Sequence, residues 1–223
     1  RFLAPKSFSP TNFTDYEKKL KAAFVEMDAT KRKEIIKNGV LALAKKKGLS
    51  ADLDDEIVDE NSGLVEWPVV LLGGFGEDFL KLPDEVLVTS MRKHQKYFPL
   101  YKKGGELAPW FVMVANIESK LGVKSIVEGN ERVLRARLYD AKYFWDLDTA
   151  VSLDAHADRL SQIVFHAKLG SIQDRVIRLS SLASDIGTFV LGVDDQSLRR
   201  AAVLCKADLA TGMVVEFPEL QGV

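Results

Sequence analysis

The stretch at residues 126–148 constrains the fold of this chain more than any other. Four apolar residues recur there at i, i+4, i+7 and i+11, which are Leu134, Leu138, Ala141 and Trp145. That spacing is typical of one buried face of a helix. Asn130 stands just before them, and its side-chain oxygen is suited to cap a helix that opens at Glu131. The sequence therefore predicts a helix that packs this apolar stripe, with Trp145 included, into a core.

Three arginines leave the same stretch in different directions, namely Arg132, Arg135 and Arg137. The planar guanidinium group matches phosphate oxygens with two parallel hydrogen bonds, so these residues are candidates for contact with a nucleic-acid backbone. The alternative is a solvated face held by salt bridges. Glu131 and Arg135 stand at the i,i+4 spacing that favours such a pair. Both interpretations stay open at this point.

A second basic cluster lies at residues 92–98, where cations stand directly beside aromatic residues. Its members are Arg92, Lys93, His94 and Lys96, followed by Tyr97 and Phe98. Phosphates favour cations, and unpaired bases stack on aromatic rings, so the cluster is a candidate site for RNA. The alternative places the two aromatic rings in the core and the charges on the exposed side of the same turn.

A third basic feature is the run Lys45-Lys46-Lys47, which ends a helix predicted over residues 31–47 before Gly48. Asp28 is suited to cap the start of this helix. Cations in the last turn of a helix complement its dipole, and this accounts for the run without any ligand. Contact with RNA is the alternative. A stretch of acidic residues follows at 51–63. It lacks the spacing and the central glycine of a calcium loop, so it is predicted to be a helix with a solvated acidic face.

Composition excludes several classes of protein. The 223 residues carry a net charge of −1, so any surface that binds nucleic acid must be a local patch. A single cysteine rules out an internal disulfide, and three histidines make a zinc site unexpected. No apolar run approaches the ~18 residues that span a bilayer. The length suits one large domain or two small ones.

The pattern of elements predicts an α+β fold for residues 1–150. Strands are indicated at 67–75, 98–101 and 110–117, the last two joined by a turn at 103–105. Beyond residue 155 the pattern is helical, with apolar stripes at 160–167, 172–182 and 198–209. The third stripe contains Cys205, which is predicted to be buried. Residues 151–223 are therefore predicted to form a second, all-helical domain.

Residues 129–145 read Gly-Asn-Glu-Arg-Val-Leu-Arg-Ala-Arg-Leu-Tyr-Asp-Ala-Lys-Tyr-Phe-Trp, which resembles a signature of the β subunit of bacterial tetrameric glycyl-tRNA synthetase. Other segments resemble that family in the same order, at residues 1–5, 64–71, 94–99, 114–119, 165–171 and 216–222. The resemblance spans nearly the whole chain. Both ends continue in the family, so the chain is expected to be a central piece of a longer subunit.

The resemblance implies a function without a catalytic site in this chain. In the family, the α subunit binds glycine, ATP and magnesium, and the β subunit is needed for productive recognition of tRNA(Gly). The expected partners are therefore the α subunit, a second β subunit in an α2β2 assembly, and tRNA(Gly), in the cytoplasm and without a membrane. A purely structural scaffold within the synthetase is the alternative.

The resemblance also implies two fold relationships. The first domain is similar to the editing domain of phenylalanyl-tRNA synthetase β subunits, and no Ser/Cys–His constellation commits it to hydrolysis. The helical domain is similar to HD-type phosphohydrolases, which would make a metal-dependent phosphohydrolase the rival function. His166 stands near the position of the first metal ligand, but only Asp208 remains of the central His-Asp pair. We therefore expect a degenerate HD-like domain in which Asp208 pairs locally and no metal binds.

Overall fold

The computed structural model describes residue 4, residues 6–117 and residues 122–223. The chain divides into two compact units, Arg1–Leu138 and Tyr139–Val223. The predicted boundary lies later, at residues 150 and 151, directly after helix α5 (Val123–Thr149), and that helix runs without a break through residues 138 and 139. Two segments that carry the family resemblance, at 1–5 and 114–119, lie partly outside the described residues.

The first unit mixes helices with a small sheet, which confirms the α+β class. Its other helices are α1 (Phe13–Ala22), α2 (Ala29–Lys46), α3 (Asp55–Leu64) and α4 (Asp84–Thr89). Its strands are β1 (Ser50–Ala51), β2 (Val69–Gly74), β3 (Phe98–Tyr101) and β4 (Leu107–Ala115). A 3-10 turn (Glu77–Lys81) precedes α4, and a π-helical turn (Ser90–His94) follows it. The similarity to an editing domain stays a prediction.

The four strands form one antiparallel sheet in the order β1-β3-β4-β2. Strands β2 and β4 pair from Val69 opposite Ala115 to Gly74 opposite Trp110. The predicted hairpin between β3 and β4 is confirmed. Its turn is closed by the Lys102 N–H, which donates to the Glu106 carbonyl at 2.8 Å.

Helices α2 and α3 supply the core that covers one face of this sheet. The residues buried together there are Ile36, Val40, Ala44, Ile57, Val58, Val65, Phe98, Leu100 and Val112. Helix α2 starts at Asp28, whose carboxylate accepts the Thr30 N–H at 2.8 Å, as the sequence predicts. It approaches β2 closely at Gly39, where a β-carbon would lie 2.7 Å from Val70 Cγ2.

Helix α5 begins at Val123, so the prediction that Asn130 caps it is wrong. Asn130 lies inside the helix, where the backbone N–H groups after it are already bonded to carbonyls one turn back. Its side chain bonds instead to the Ile126 carbonyl and the Tyr97 hydroxyl. Three members of the apolar stripe are fully buried, which are Leu134, Leu138 and Ala141. Trp145 is only half-buried, so the expectation that it is a core residue is wrong in degree.

The second unit is mostly helical, but the prediction that it is all helix is wrong. Besides the end of α5, its helices are α6 (Leu153–Ala157), α7 (Ile172–Gly187), α8 (Asp195–Leu204) and α9 (Gly212–Glu216). Short 3-10 turns occur at Asp158–Gln162, Ala207–Ala210 and Pro218–Leu220. Strands β5 (Val164–His166) and β6 (Gly170–Ser171) form a small hairpin in place of the predicted stripe at 160–167.

The physical reason for this hairpin is a turn that a helix cannot accommodate. Gly170 has a φ of 86°, and the Leu169 N–H donates to the His166 carbonyl at 3.0 Å. Val164, counted in the predicted stripe, is 77% exposed. The core of this unit instead joins Leu160 to Ile172 and Val176. Helix α7 then opens with a capping box between Ser171 and Asp174.

Candidate nucleic-acid interface

The basic cluster at residues 92–98 is positioned by an irregular end to the helical segment that contains α4. The π-helical turn at Ser90–His94 is closed by the Tyr97 N–H, which donates to the Met91 carbonyl at 2.9 Å. Lys96 has a φ of 59°, a left-handed conformation that is uncommon for a residue other than glycine. The chain reverses there, and it carries Arg92, Lys93 and Lys96 against the acidic helix α3.

Each of these three cations pairs with a carboxylate at or near α3. Arg92 Nη2 lies 2.7 Å from Asp52 Oδ2, and its Nη1 lies 3.5 Å from Asp54 Oδ2. Lys93 Nζ lies 3.9 Å from Glu56 Oε1. Lys96 Nζ lies 2.6 Å from Glu60 Oε1. The cluster is therefore largely matched by negative charge from its own chain.

Helix α3 receives cations from its other side as well. Lys33 Nζ lies 2.6 Å from Asp59 Oδ1, and Lys37 Nζ lies 2.7 Å from Asp55 Oδ1. The hydrogen bond from Lys37 holds the pKa of the Asp55 carboxyl below its ordinary value. The acidic face is thus paired with two basic elements and is not simply solvated. The spacing of charged residues in the sequence does not predict these ion pairs, because the partners stand about 20 to 40 positions apart.

The aromatic residues of the cluster belong to the core. Tyr97 is 4% exposed and Phe98 is fully buried. The Tyr97 ring stacks on Phe111 at a centroid distance of 4.6 Å, and its hydroxyl donates to Asn130 Oδ1 at 2.6 Å. Neither ring offers a free face to an RNA base, and the half-buried His94 adds no exposed aromatic surface. Of the two interpretations of this cluster, the geometry matches the one that puts its rings in the core.

The signature residues at the start of the arginine stretch hold α5 to the sheet. Asn130 Nδ2 donates to the Ile126 carbonyl at 2.8 Å, one turn back along the helix. Glu131 Oε1 accepts the outward-facing N–H of Gly74 on edge strand β2 at 2.8 Å. The predicted pair between Glu131 and Arg135 is not formed among the described residues. The carboxylate is used to satisfy a backbone N–H instead.

Arg132 and Arg135 are exposed on α5, and Arg137 is half-buried. Within the parts of the chain that the structure describes, no carboxylate lies within 4.0 Å of Arg132 or Arg135. Both guanidinium groups therefore belong to exposed residues that form no ion pair with another described residue. Of the seven residues predicted to contact tRNA, these two have the least competition from the protein itself.

The residues of the HD-like comparison lie in the second unit. His166 is exposed on β5, and Asp208 Oδ2 accepts the Gly222 N–H, 14 positions along the chain, at 2.9 Å. No group of three or more metal-binding side chains occurs among the described residues. Cys205 is exposed at the end of α8, so the prediction that it is a buried packing residue is wrong. Two other members of that stripe reach the interior, since Ala202 is buried and Leu209 packs against the core of this unit.

Comparison with known proteins identifies the family. A family model described as the glycyl-tRNA synthetase β subunit matches residues 1–223. The glycine–tRNA ligase β subunit of Rhodospirillum centenum is 50% identical over 100% of this chain. Those of Rickettsia canadensis and Coxiella burnetii are 44% and 43% identical over 98% and 100% of it.

The chain spans about a third of the length of these relatives, 32% in each of the three. The family model covers the chain from end to end, and the three relatives are 43–50% identical to it. The chain therefore belongs to the glycyl-tRNA synthetase β-subunit family.

Proposed function

We propose that this chain is the part of a glycine–tRNA ligase β subunit that helps to hold tRNA(Gly) for aminoacylation. The observation that carries the proposal is the family match over residues 1–223. In this proposal the α subunit binds ATP, magnesium and glycine, and the chain itself holds no catalytic residue. The partners are the α subunit, a second β subunit in an α2β2 assembly, and tRNA(Gly), in the cytoplasm.

As candidates for the tRNA contact, we rank Arg132 and Arg135 above Arg92, Lys93, His94 and Lys96. A guanidinium group binds phosphate with two parallel hydrogen bonds only if its donors are not already used. Arg132 and Arg135 are exposed, and no carboxylate of the described residues lies within 4.0 Å of either, whereas Arg92 already pairs with Asp52 and Asp54. Arg137 is a weaker candidate, because its side chain is half-buried and therefore less accessible to a phosphate group.

A structural role is the second candidate, and the ion pairs of α3 support it for the 92–96 cluster. Exposed ion pairs are typically worth about 0–1 kcal/mol each, but a network that joins three elements fixes their arrangement. In this proposal the cluster orders the first unit, while α5 presents the phosphate-binding groups. The editing-like fold of the first unit and the degenerate HD-like fold of the second remain part of the proposal. No observation favours a metal-dependent phosphohydrolase.

The test is the salt dependence of tRNA(Gly) binding by the full-length β subunit assembled with its α subunit. Each lost phosphate contact lowers the slope of log affinity against log salt by about 0.7–0.9. We expect Arg132→Gln with Arg135→Gln to weaken binding and reduce the slope by up to twice that amount. The matched control is Arg92→Gln with Lys93→Gln, which removes the same charge from paired residues.

Three results would contradict parts of the proposal in different ways. If the control alone lowers the slope, the 92–96 cluster is the contact and our order is reversed. If neither double variant changes binding by an assembly that does bind tRNA, this region is a scaffold. If the wild-type assembly fails to bind tRNA(Gly), the proposed function itself is wrong. Circular dichroism of each variant separates loss of contact from loss of fold.

A further inference from the structure

The run Lys45-Lys46-Lys47 forms a separate patch of positive charge at the C-terminal end of α2. Lys45 and Lys46 occupy the last turn, and Lys47 follows as the C-cap residue. All three side chains are exposed. Gly48, with a φ of 70°, then ends the helix and turns the chain into β1.

The described part of the chain does not match the charge of this patch with carboxylates. Other lysines of α2 pair with carboxylates, as Lys31 does with Glu17 and Asp28, Lys33 with Asp59, and Lys37 with Asp55. No carboxylate of the described chain lies within 4.0 Å of Lys45, Lys46 or Lys47. The positive charge of α2 is therefore neutralised along its middle and left free at its end.

Lys47 is held in place without losing its charge. Its Nζ lies 3.5 Å from the centre of the Trp110 ring, on strand β4 of the sheet. The ring attracts the ammonium group through its quadrupole, which orients the cation but carries no net charge to cancel it. The rigid sheet thus fixes one ammonium of the patch, and the adjacent helical turn fixes the backbone of the other two.

Compensation of the helix dipole does not account for three cations. The C-terminal end of a helix is equivalent to roughly −0.5 elementary charge. A single lysine more than offsets that charge, so the run leaves an excess of about 2.5 positive charges in three consecutive residues. Such an excess attracts a polyanion, and lysine binds phosphate as a point charge without reading base identity.

We propose that Lys45, Lys46 and Lys47 form a second binding site for the tRNA phosphate backbone, separate from Arg132 and Arg135. The proposal rests on the proposed function, because the polyanion presented to this subunit would be tRNA. The site contributes affinity and orientation and no sequence specificity. Its contribution falls with rising ionic strength, since each contact releases condensed counterions.

The experiment compares two double variants of the full-length β subunit in its assembly with the α subunit. Lys45→Gln with Lys46→Gln removes two free cations and leaves the Lys47–Trp110 contact intact. The matched control, Lys33→Gln with Lys37→Gln, removes the same charge from the same helix at residues held by Asp59 and Asp55. We expect the first variant to lower the slope of log affinity for tRNA(Gly) against log salt by about 0.7–0.9 per lost contact. The control slope stays that of the wild type.

Each outcome decides the matter. An equal loss in both variants means that net charge, not this patch, attracts tRNA, and the inference is overturned. No loss in the Lys45/Lys46 variant of an assembly that binds tRNA also overturns it, while the proposed function stands. If the wild-type assembly fails to bind tRNA(Gly), both this inference and the proposed function are wrong. Lys45→Arg with Lys46→Arg should retain the wild-type slope, because a contact with phosphate needs the charge and not the ammonium shape.

Discussion

The Tyr97 hydroxyl donates a hydrogen bond to Asn130 Oδ1 over 2.6 Å, and this bond joins the segment before β3 to the interior of α5. The amide of Asn130 is used at both ends, since its Nδ2 donates to the Ile126 carbonyl. Tyr97 is almost fully buried, so its hydroxyl has little access to water. Tyr97 and Asn130 both lie in segments that carry the family resemblance, and the structure gives this pair a structural role.

We expect Tyr97→Phe and Asn130→Ala to be coupled. Asn130→Ala leaves a buried hydroxyl without a partner, which costs about 1–3 kcal/mol, partly offset by roughly 0.5 kcal/mol of better helix propensity. The double variant removes both polar groups and should cost less than the sum of the two single variants. A thermodynamic cycle from denaturant unfolding measures this difference, and strictly additive effects would show that the bond contributes nothing.

The same hydroxyl predicts a loss of stability at alkaline pH. Burial raises the pKa of Tyr97 from 10.0 to about 12, so the folded state keeps a proton that the unfolded state loses earlier. The contribution of this group is complete below pH 10 and declines as the pH rises toward 12. Wild type should therefore lose stability relative to Tyr97→Phe over that range. A difference between the two proteins that stays constant with pH would contradict this.

Gly73→Ala should destabilise the first unit, and Gly74→Ala should be much better tolerated. A β-carbon on Gly73 would lie 2.6 Å from Cζ of Phe111, whose ring is fully buried and stacked on Tyr97. Such crowding typically costs about 1–3 kcal/mol. At Gly74 the nearest atom is 3.4 Å away, so the neighbouring substitution is a matched control. Equal melting temperatures for the two variants would mean that Phe111 can move.

Three substitutions along α5 should differ in a fixed order. Leu134→Ala removes a fully buried side chain and should cost about 2–5 kcal/mol. Trp145 is half-buried, so Trp145→Ala should cost less than the roughly 3–5 kcal/mol of a buried tryptophan. Arg135→Ala, at an exposed residue, should stay within about 0.5 kcal/mol of wild type. Thermal unfolding tests the order, and a silent Leu134→Ala variant would refute it.

Added Mn²⁺, Mg²⁺ or Zn²⁺ should not raise the melting temperature. A ligand at a hundred times its dissociation constant would add about 2.7 kcal/mol, which a thermal shift readily detects. His166 is exposed on a hairpin, and Asp208 is occupied by the Gly222 N–H. A metal-dependent shift that disappears in both His166→Ala and Asp208→Ala would restore the phosphohydrolase alternative.

Local signals in the sequence located most elements of the first unit. The turn residues at 103–105 gave the hairpin, and Asp28 gave the start of α2. The start of α5 was missed because Asn130 is a good cap by its side chain alone. Its use by Tyr97, 33 positions away, depends on tertiary packing that no local pattern contains.

The sequence indicates which basic residues could form the candidate site, but not which of them pair with carboxylates of the described chain. Arg92 and Arg135 look equivalent in the sequence, and they differ because Asp52 and Asp54 reach the first and no carboxylate of the described chain reaches the second. In the second unit, the apolar residues at 160–167 have helical spacing but do not form an α-helix. The positive φ of Gly170 and the exposure of Val164 decided for a hairpin.

The exposed thiol of Cys205 gives this chain a single chemical handle. The sequence contains no other cysteine, and this one ends α8 at the surface of the second unit. A maleimide dye would therefore attach at one known position, remote in sequence from every arginine and lysine discussed above. Its fluorescence would follow the unfolding of the second unit, while Trp67 and Trp110 would report on the first unit in a variant with Trp145→Phe, because Trp145 lies in the second.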